Sequence, residues 1–255
     1  MRLQHARVSR GLTFFKDAFI ENYNLMPCTR NNQPCVMFGM YRGDDYDFYL
    51  KHQAPILVVW CGSDSMLQRL TPMKIKILKS KPHKHIATHD FGSADLKKVG
   101  IPHQVVPITP AKLEYTHEPR GDNVYFYSSG PADYRNRIYG RRFIDDIKKR
   151  IGSIKIIEAD QHTYNRQELR EVYKSCFLAL RLTRHDGVPT TVLEMGIMGR
   201  KSVFNGSVPH CIHWKGAEDI AQTILKEYET REQDNKYISE DIRKYLDIGY
   251  SWLIV

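Results

Sequence analysis

The chain has 255 residues, 42% hydrophobic and 26% charged, enough for one large soluble domain or two small ones with a sizeable core. Its net charge of +9 is uneven, with 17 Lys+Arg against 10 Asp+Glu in residues 1–120 and 21 against 19 in residues 121–255. No apolar run approaches a membrane span, MRLQHARVSRG lacks the apolar core of a signal peptide, and five cysteines without a CxxC pair speak against a disulfide framework or zinc, so a cytoplasmic protein with reduced thiols is expected.

Leu12 to Tyr23 has helical apolar spacing, and Cys35–Met40 and Ile56–Cys61 read as short buried strands. Between them Asp44–His52 carries acids in its first turn and Lys-His in its last, as a helix dipole favours. Lys84–Thr88, Ser93–Val99 and Gln104–Ile108 repeat strand, helix and strand. Residues 111–122 are polar and poorly periodic after two prolines and read as a linker. The pattern then restarts: strands at Asn123–Tyr127, Ile154–Ile157, Phe177–Leu182, Lys201–Asn205 and Cys211–Trp214, and helices at Tyr139–Arg150, Arg166–Cys176, Thr190–Gly199 and Ala217–Glu229. Ser239–Val255 reads as a final helix with an apolar end. The expectation is α/β throughout, as an amino-terminal α/β domain (1–110), a linker (111–122), a Rossmann-like domain (123–235) and a terminal helix packing back across both (236–255).

One stretch carries chemistry. RLTRHDGVPTTVLEMGIMGRKSVFNG leaves a strand, turns at Asp186-Gly187 and enters a helix near Pro189 and Thr190. In doubly wound sheets, ligands sit at such carboxyl ends. Gly187 admits close backbone approach or a positive φ, Thr190 is a natural N-cap, and the open amides at Thr191 and its neighbours suit a phosphate. Glu194, one turn in, can accept from two adjacent hydroxyls such as those of a ribose, and Asp186 can hold a second polyhydroxylated group. Sugar, phosphate and ribose together make a nucleotide sugar. The same acid-glycine-proline run is also plain helix capping, and spacing alone leaves both readings open.

The run DGVPTTVLEMGIMGRKSVFNG resembles the signature of retaining, nucleotide-sugar-dependent glycosyltransferases of the GT-B fold, with QELREVYKSCFLALRLT before it and IHWKGAEDIAQTI after it. APILVVWCGSD (54–64) is a weaker match to their amino-terminal domain. The resemblance implies two Rossmann-like domains facing a cleft, the amino-terminal one reduced. Glu194 would bind the donor ribose. The backbone from Gly187 through Val188, Pro189 and Thr190 to Thr191 would hold diphosphate and sugar. Asp186 would meet the transferred sugar, with His185 beside it. The family's basic pair corresponds to the loop SSGPADYRNRIYGRR, where Ser129, Arg135, Arg137 and Arg141 are candidates; the usual Gly-Arg…Lys-Gly wording is absent. Gly62 and Asp64 would line the first domain's edge. The donor would be a UDP- or GDP-sugar, with no cofactor and no metal required. Oxocarbenium character at the anomeric carbon and charge on the departing diphosphate would be met by arginines and a helix N-terminus.

The acceptor side rests on charge. KIKILKSKPHKH (74–85) holds five lysines and two histidines, attractive to nucleic acid, an anionic lipid surface or a teichoic-type polymer, or else simply a solvated basic face. The compact chain resembles virus-encoded sugar transferases, including those that decorate modified bases in phage DNA, for which the location would be the host cytoplasm. Tyr41, Tyr46 and Tyr49 could then stack on a flipped base or pack the core. His83, His85, His89, His185, His210 and His213 fit no metal pattern and read as surface or core residues, apart from His185 next to the motif. The alternative function is a non-catalytic nucleotide- or nucleic-acid-binding protein on a degenerate scaffold of the same kind.

Overall fold

The computed structural model describes residues 2–111, 113–160, 162–183 and 186–254, with Arg166 described by its backbone alone. The chain forms two compact units, the first from Met1–Pro110, Asp186–Val188 and Leu246–Val255, the second from Ala111–His185 and Pro189–Tyr245.

The first unit is a six-stranded sheet of β1 (His5–Val8), β2 (Met26–Pro27), β3 (Cys35–Phe38), β4 (Ile56–Trp60), β5 (Lys84–Ala87) and β6 (Gln104–Val105), in the order β2-β1-β3-β4-β5-β6. Every pairing between these strands is parallel, with Val36 opposite Leu57 and Val58 opposite His85 marking the register. Period-two alternation divides β3 and β4 between two cores. Val36, Phe38, Leu57 and Val59 pack with Phe19 of α1 (Lys16–Tyr23) and with Trp252 and Leu253. Cys35, Met37, Ile56, Val58 and Trp60 face the opposite way. They meet Tyr46 and Tyr49 of α2 (Gly43–Lys51), Leu78 of α3 (Pro72–Lys79) and Leu96 of α4 (Asp90–Lys98). A sheet covered on both faces needs apolar residues at every position of its central strands, and β3 and β4 supply them.

The second unit is a five-stranded parallel sheet of β7 (Asn123–Tyr127), β8 (Ile156–Ala159), β9 (Cys176–Leu180), β10 (Lys201–Val203) and β11 (Cys211–Ile212), in the order β11-β10-β9-β7-β8. Its helices are α5 (Ala132–Ile138), α6 (Ile144–Arg150), α7 (Arg166–Lys174), α8 (Thr190–Ile197), α9 (Ala217–Glu229) and α10 (Lys236–Leu246). Ile144 and Ile147 of α6 and Ile220 and Ile224 of α9 cover one face of the sheet. Every residue of α8 after Thr190 is buried, and a Cβ at Gly196 would lie 2.8 Å from Ile242 of α10, so the glycine lets the two helices touch.

Several sequence expectations change here. The segment Leu12–Tyr23 is a 3-10 stretch over Arg10–Phe15 followed by α1, and Tyr139–Arg150 is a 3-10 turn at Arg141–Phe143 followed by α6. The lysine-rich run begins inside α3, whose start is set by the Thr71 hydroxyl accepting from the Lys74 amide and by Pro72 in the first turn. Residues 111–122 carry buried Ala111 and Tyr115 and pack within the second unit. Tyr46 and Tyr49 are core residues at 4% and 0% exposure, with the Tyr49 hydroxyl donating to Leu78 O at 2.8 Å, so neither ring is open to a base. All five cysteines are unpaired.

Candidate functional site

In the second unit the strand order reverses between β7 and β9, because the chain leaves β7 toward β8 and returns to β9 on the other side. In doubly wound sheets the carboxyl ends of the two strands at such a switch point form the crevice that binds ligands. β7 delivers Ser128, Ser129 and Gly130 to this edge and β9 delivers Arg181, Leu182 and Thr183. Gly130 has φ +93°, which turns the chain into α5 without the penalty a side chain would bring. The Ser128 hydroxyl is buried with no partner among the described residues. Half-buried Arg135 and exposed Arg137 lie on α5, and neither forms an ion pair among the described residues. Arg141 is different: it bridges Glu158 at 2.9 Å and Asp145 at 3.2 Å, which makes it a brace within the unit.

Arg181 is a cation that sequence reasoning missed. Its guanidinium lies over the rings of Tyr127 (4.6 Å) and Tyr139 (5.0 Å), which hold a positive charge at the crevice. Nothing in the local sequence marks it; only the adjacency of β7 and β9 brings Tyr127 beneath it.

α8 begins at Thr190 with Pro189 in the capping position, so Thr190 is the first helical residue rather than the cap. Its open first-turn amides therefore lack a side-chain acceptor from the capping residue, an arrangement that favours an anion. Glu194 sits one turn further on at 6% exposure and meets a hydroxyl: Tyr173 of α7 donates to its Oε2 at 3.4 Å. Tyr173 is fully buried, packs edge-on to Tyr125 of β7 at 5.0 Å, and also bonds to Thr191. Burial first, then the Glu194 charge, drives its hydroxyl far above the ordinary tyrosine range, so it stays a donor. The carboxylate is thus aimed by a tyrosine from a neighbouring helix.

Asp186, Gly187 and Val188 belong to the first unit. The Gly187 amide donates to Oδ1 of Asp186 at 2.9 Å, closing a tight turn. Gly187 is not among the positive-φ glycines; what it requires is close approach, since a Cβ there would lie 2.7 Å from Cδ2 of His89. His185 lies outside the described residues.

His89, read from sequence as a bland core or surface residue, has a defined chemical state. Its Nδ1 accepts the Gly92 amide at 2.9 Å as the cap of α4, which places the ring proton on Nε2. That Nε2 is buried with no partner among the described residues. Burial lowers the pKa against the pull of Asp186 and Asp90, so the ring is a neutral N–H donor beside the Gly187 turn.

Gly62 and Asp64 follow β4. Asp64 is 1% exposed and its carboxylate accepts amides from Gly62 (2.8 Å), Met40 (3.0 Å) and Cys61 (3.4 Å), so it organises the loop from inside. Tyr41 fills the space between three glycines: a Cβ at Gly11, Gly39 or Gly62 would lie 2.8, 2.8 or 3.3 Å from it. Its half-buried ring is therefore packed against these glycines at the β1–β3 switch point.

Burial outweighs the backbone amide hydrogen bonds and raises the Asp64 pKa to about 6. The folded chain therefore holds this proton more tightly than the unfolded chain, and stability falls as pH rises from about 4 to about 6, by about 3 kcal/mol in total. Asp64→Asn cannot ionise and should lose this slope. Urea midpoints of both proteins at about pH 4 and pH 7 check it; equal slopes would remove Asp64 as the cause.

An open groove of about 740 Å³ runs along the outer flank of α7, past Tyr164, Gln167, Glu168 and Glu171, and none of the predicted site residues lines it.

No family model and no curated protein sequence matches the chain. Its fold is that of solved GT-B glycosyltransferases. It is similar to TarM of S. aureus (TM-score 0.61, 10% identity, covering 88% of this chain and 53% of that one). It is also similar to the lipopolysaccharide outer core galactosyltransferase WaaB (0.59, 11%, 94% and 78%). A third is the pneumococcal O-GlcNAc transferase GtfA, solved with UDP and GlcNAc (0.56, 12%, 90% and 56%). The chain spans about half the length of TarM and GtfA.

Proposed function

Starting from this GT-B fold, we propose that the chain is a glycosyltransferase that moves a sugar from a UDP- or GDP-sugar to an acceptor hydroxyl with retention of anomeric configuration. The observation that carries this reading is the Glu194 carboxylate, held by the Tyr173 hydroxyl one turn inside a helix with an uncapped first turn at a strand switch point. A buried acid there suits a neutral diol such as a ribose, and the first-turn amides suit the diphosphate.

Asp186 accepts from hydroxyls of the transferred sugar. As the bond from anomeric carbon to phosphate breaks, positive charge spreads onto the sugar and negative charge grows on the departing diphosphate. Arg135 and Arg137, joined by Arg181, stabilise that charge more in the transition state than in the ground state. These cations and the helix dipole supply the neutralisation that a divalent ion supplies elsewhere, so no metal is required. Ser129 donates to a phosphate oxygen, while Gly62, kept in place by Asp64, borders the acceptor side. Arg141 keeps the loop in place through its two carboxylates. The acceptor class suggested by the basic first half is a hydroxyl on a phosphate-bearing carrier, phage DNA with modified bases included.

A panel of UDP-, GDP- and ADP-sugars scored by thermal shift tests the donor. One of them at about a hundredfold excess over its Kd should raise Tm by about 5 °C or more. NMR of the product should then show the donor's anomeric configuration, with turnover unchanged by EDTA. Absence of any nucleotide-sugar shift, together with steeply salt-dependent DNA binding, would replace the enzyme by a nucleic-acid-binding module.

A further inference from the structure

The lysine-rich run is not part of the site above, and the first sheet explains where it goes. α2, α3 and α4 lie side by side on one face, and each runs back to the amino edge of the sheet, opposite the edge that carries Gly62 and His89. Each ends in lysine: Lys51, Lys79, and Lys97 with Lys98. The link into β5 adds Lys81 and Lys84. Two contacts tie these ends together. Lys81 Nζ donates to His52 O at 2.6 Å, just after α2, and Lys79 Nζ would lie 3.2 Å from a Cβ at Gly100, just after α4.

Helix dipoles explain a lysine at each helix end. They do not explain Lys81 and Lys84, nor a stretch of residues 65–89 with six Lys or Arg and no Asp or Glu. Among the described residues none of Lys51, Lys79, Lys81, Lys84 and Lys97 forms an ion pair, while Lys98 holds Asp95 at 2.9 Å. Burial and then the Lys81 charge push the neighbouring His83 down to about 4, so its ring is neutral and the charge of this edge is carried by the lysines. The same edge has apolar tips: β4, β5 and β6 are each preceded by an exposed proline (Pro55, Pro82, Pro102), and Leu50 beside Lys51 is 39% exposed.

The geometry points to this edge as a docking face for an anionic lipid surface. Lysines are hydrated point charges that suit a field of phosphate headgroups, whereas specific phosphate or base recognition uses arginine forks and stacked aromatics. Interleaved prolines and Leu50 give the face an apolar component that a headgroup layer accepts and a threaded polyanion does not need. Docking through this edge leaves the opposite, carboxyl edge of the first sheet free. The inference stands independently of sugar transfer.

The test is co-sedimentation of the full chain with vesicles of phosphatidylcholine containing about one-third phosphatidylglycerol, against phosphatidylcholine alone, at about 0.1 M salt. The chain should bind only the anionic vesicles. The triple variant Lys79→Glu, Lys84→Glu, Lys97→Glu should bind about 100-fold more weakly. The triple variant Lys148→Glu, Lys149→Glu, Lys215→Glu changes net charge equally on exposed positions of the second unit and should retain binding. Replacing the first three lysines by Gln tests the same face without new acids, and unchanged thermal midpoints exclude unfolding. Equal loss in both Glu triples would reduce the effect to net charge and overturn the proposal. So would vesicle binding that the first triple leaves intact, an absence of vesicle binding, or tighter capture of duplex DNA through the same three lysines.

Discussion

Glu194→Gln is expected to lower kcat/KM for the nucleotide-sugar donor by roughly 100-fold, mainly through KM, with Tm nearly unchanged. Glutamine keeps the side-chain volume and still offers one oxygen to the Tyr173 hydroxyl, 3.4 Å from the carboxylate. Its amide nitrogen donates, so it can no longer accept from two adjacent hydroxyls. Two hydrogen bonds to a charged acceptor account for about 3 kcal/mol, which gives the stated factor. The loss falls on KM because the ribose is remote from the breaking bond and is bound alike in ground and transition states. Steady-state kinetics and the donor-induced thermal shift measure it together. A variant with wild-type KM and a wild-type shift would remove the ribose from Glu194 and with it the main support for the donor site.

Arg200→Ala should destabilise the second unit by roughly 3–5 kcal/mol and lower its melting midpoint by about 10 °C, while Arg200→Lys recovers part of the loss. The guanidinium is 1% exposed and donates to five backbone carbonyls. They are Cys176 at 3.2 Å, Glu118 at 2.8 Å, Pro119 at 2.6 Å, Lys174 at 3.2 Å, and Met198. Burial lowers its pKa to about 10, so it remains a cation at neutral pH. Two of these carbonyls lie at the carboxyl ends of α7 and α8, where positive charge is favoured. Arg200 therefore fixes the two helices that carry Tyr173 and Glu194, and it pins residues 118–119 to them. Alanine removes a donor from all five carbonyls, of which Cys176 O and Met198 O keep the amides of Gly121 and Glu118; lysine returns the charge with three donors in place of the planar fork. Urea denaturation followed by circular dichroism checks the order wild type, Lys, Ala. An alanine variant as stable as wild type would show that water or rearrangement satisfies the carbonyls and that the brace is dispensable.

The sequence by itself determined the α/β alternation, because strands buried on both faces must be continuously apolar, and β3, β4, β7 and β9 were legible for that reason. It also determined the turn at Gly187 and the helix that follows, since proline and glycine chemistry is local. It did not reveal β1 and β2, whose pairing is decided by β3 and by each other. In α3 the lysines obscured the apolar positions Ile75 and Leu78 that face the sheet. α5 has no buried residue, so no apolar stripe announced it.

Only the tertiary structure decided what the charged and polar groups face. It set Tyr173 against Glu194, the rings of Tyr127 and Tyr139 under Arg181, and His89 beside Gly187. It turned Asp64 onto its own backbone and gathered lysines from three helices onto one edge. These partners are many residues apart, and periodicity reports which face of an element is buried but carries no information about which element arrives to cover it.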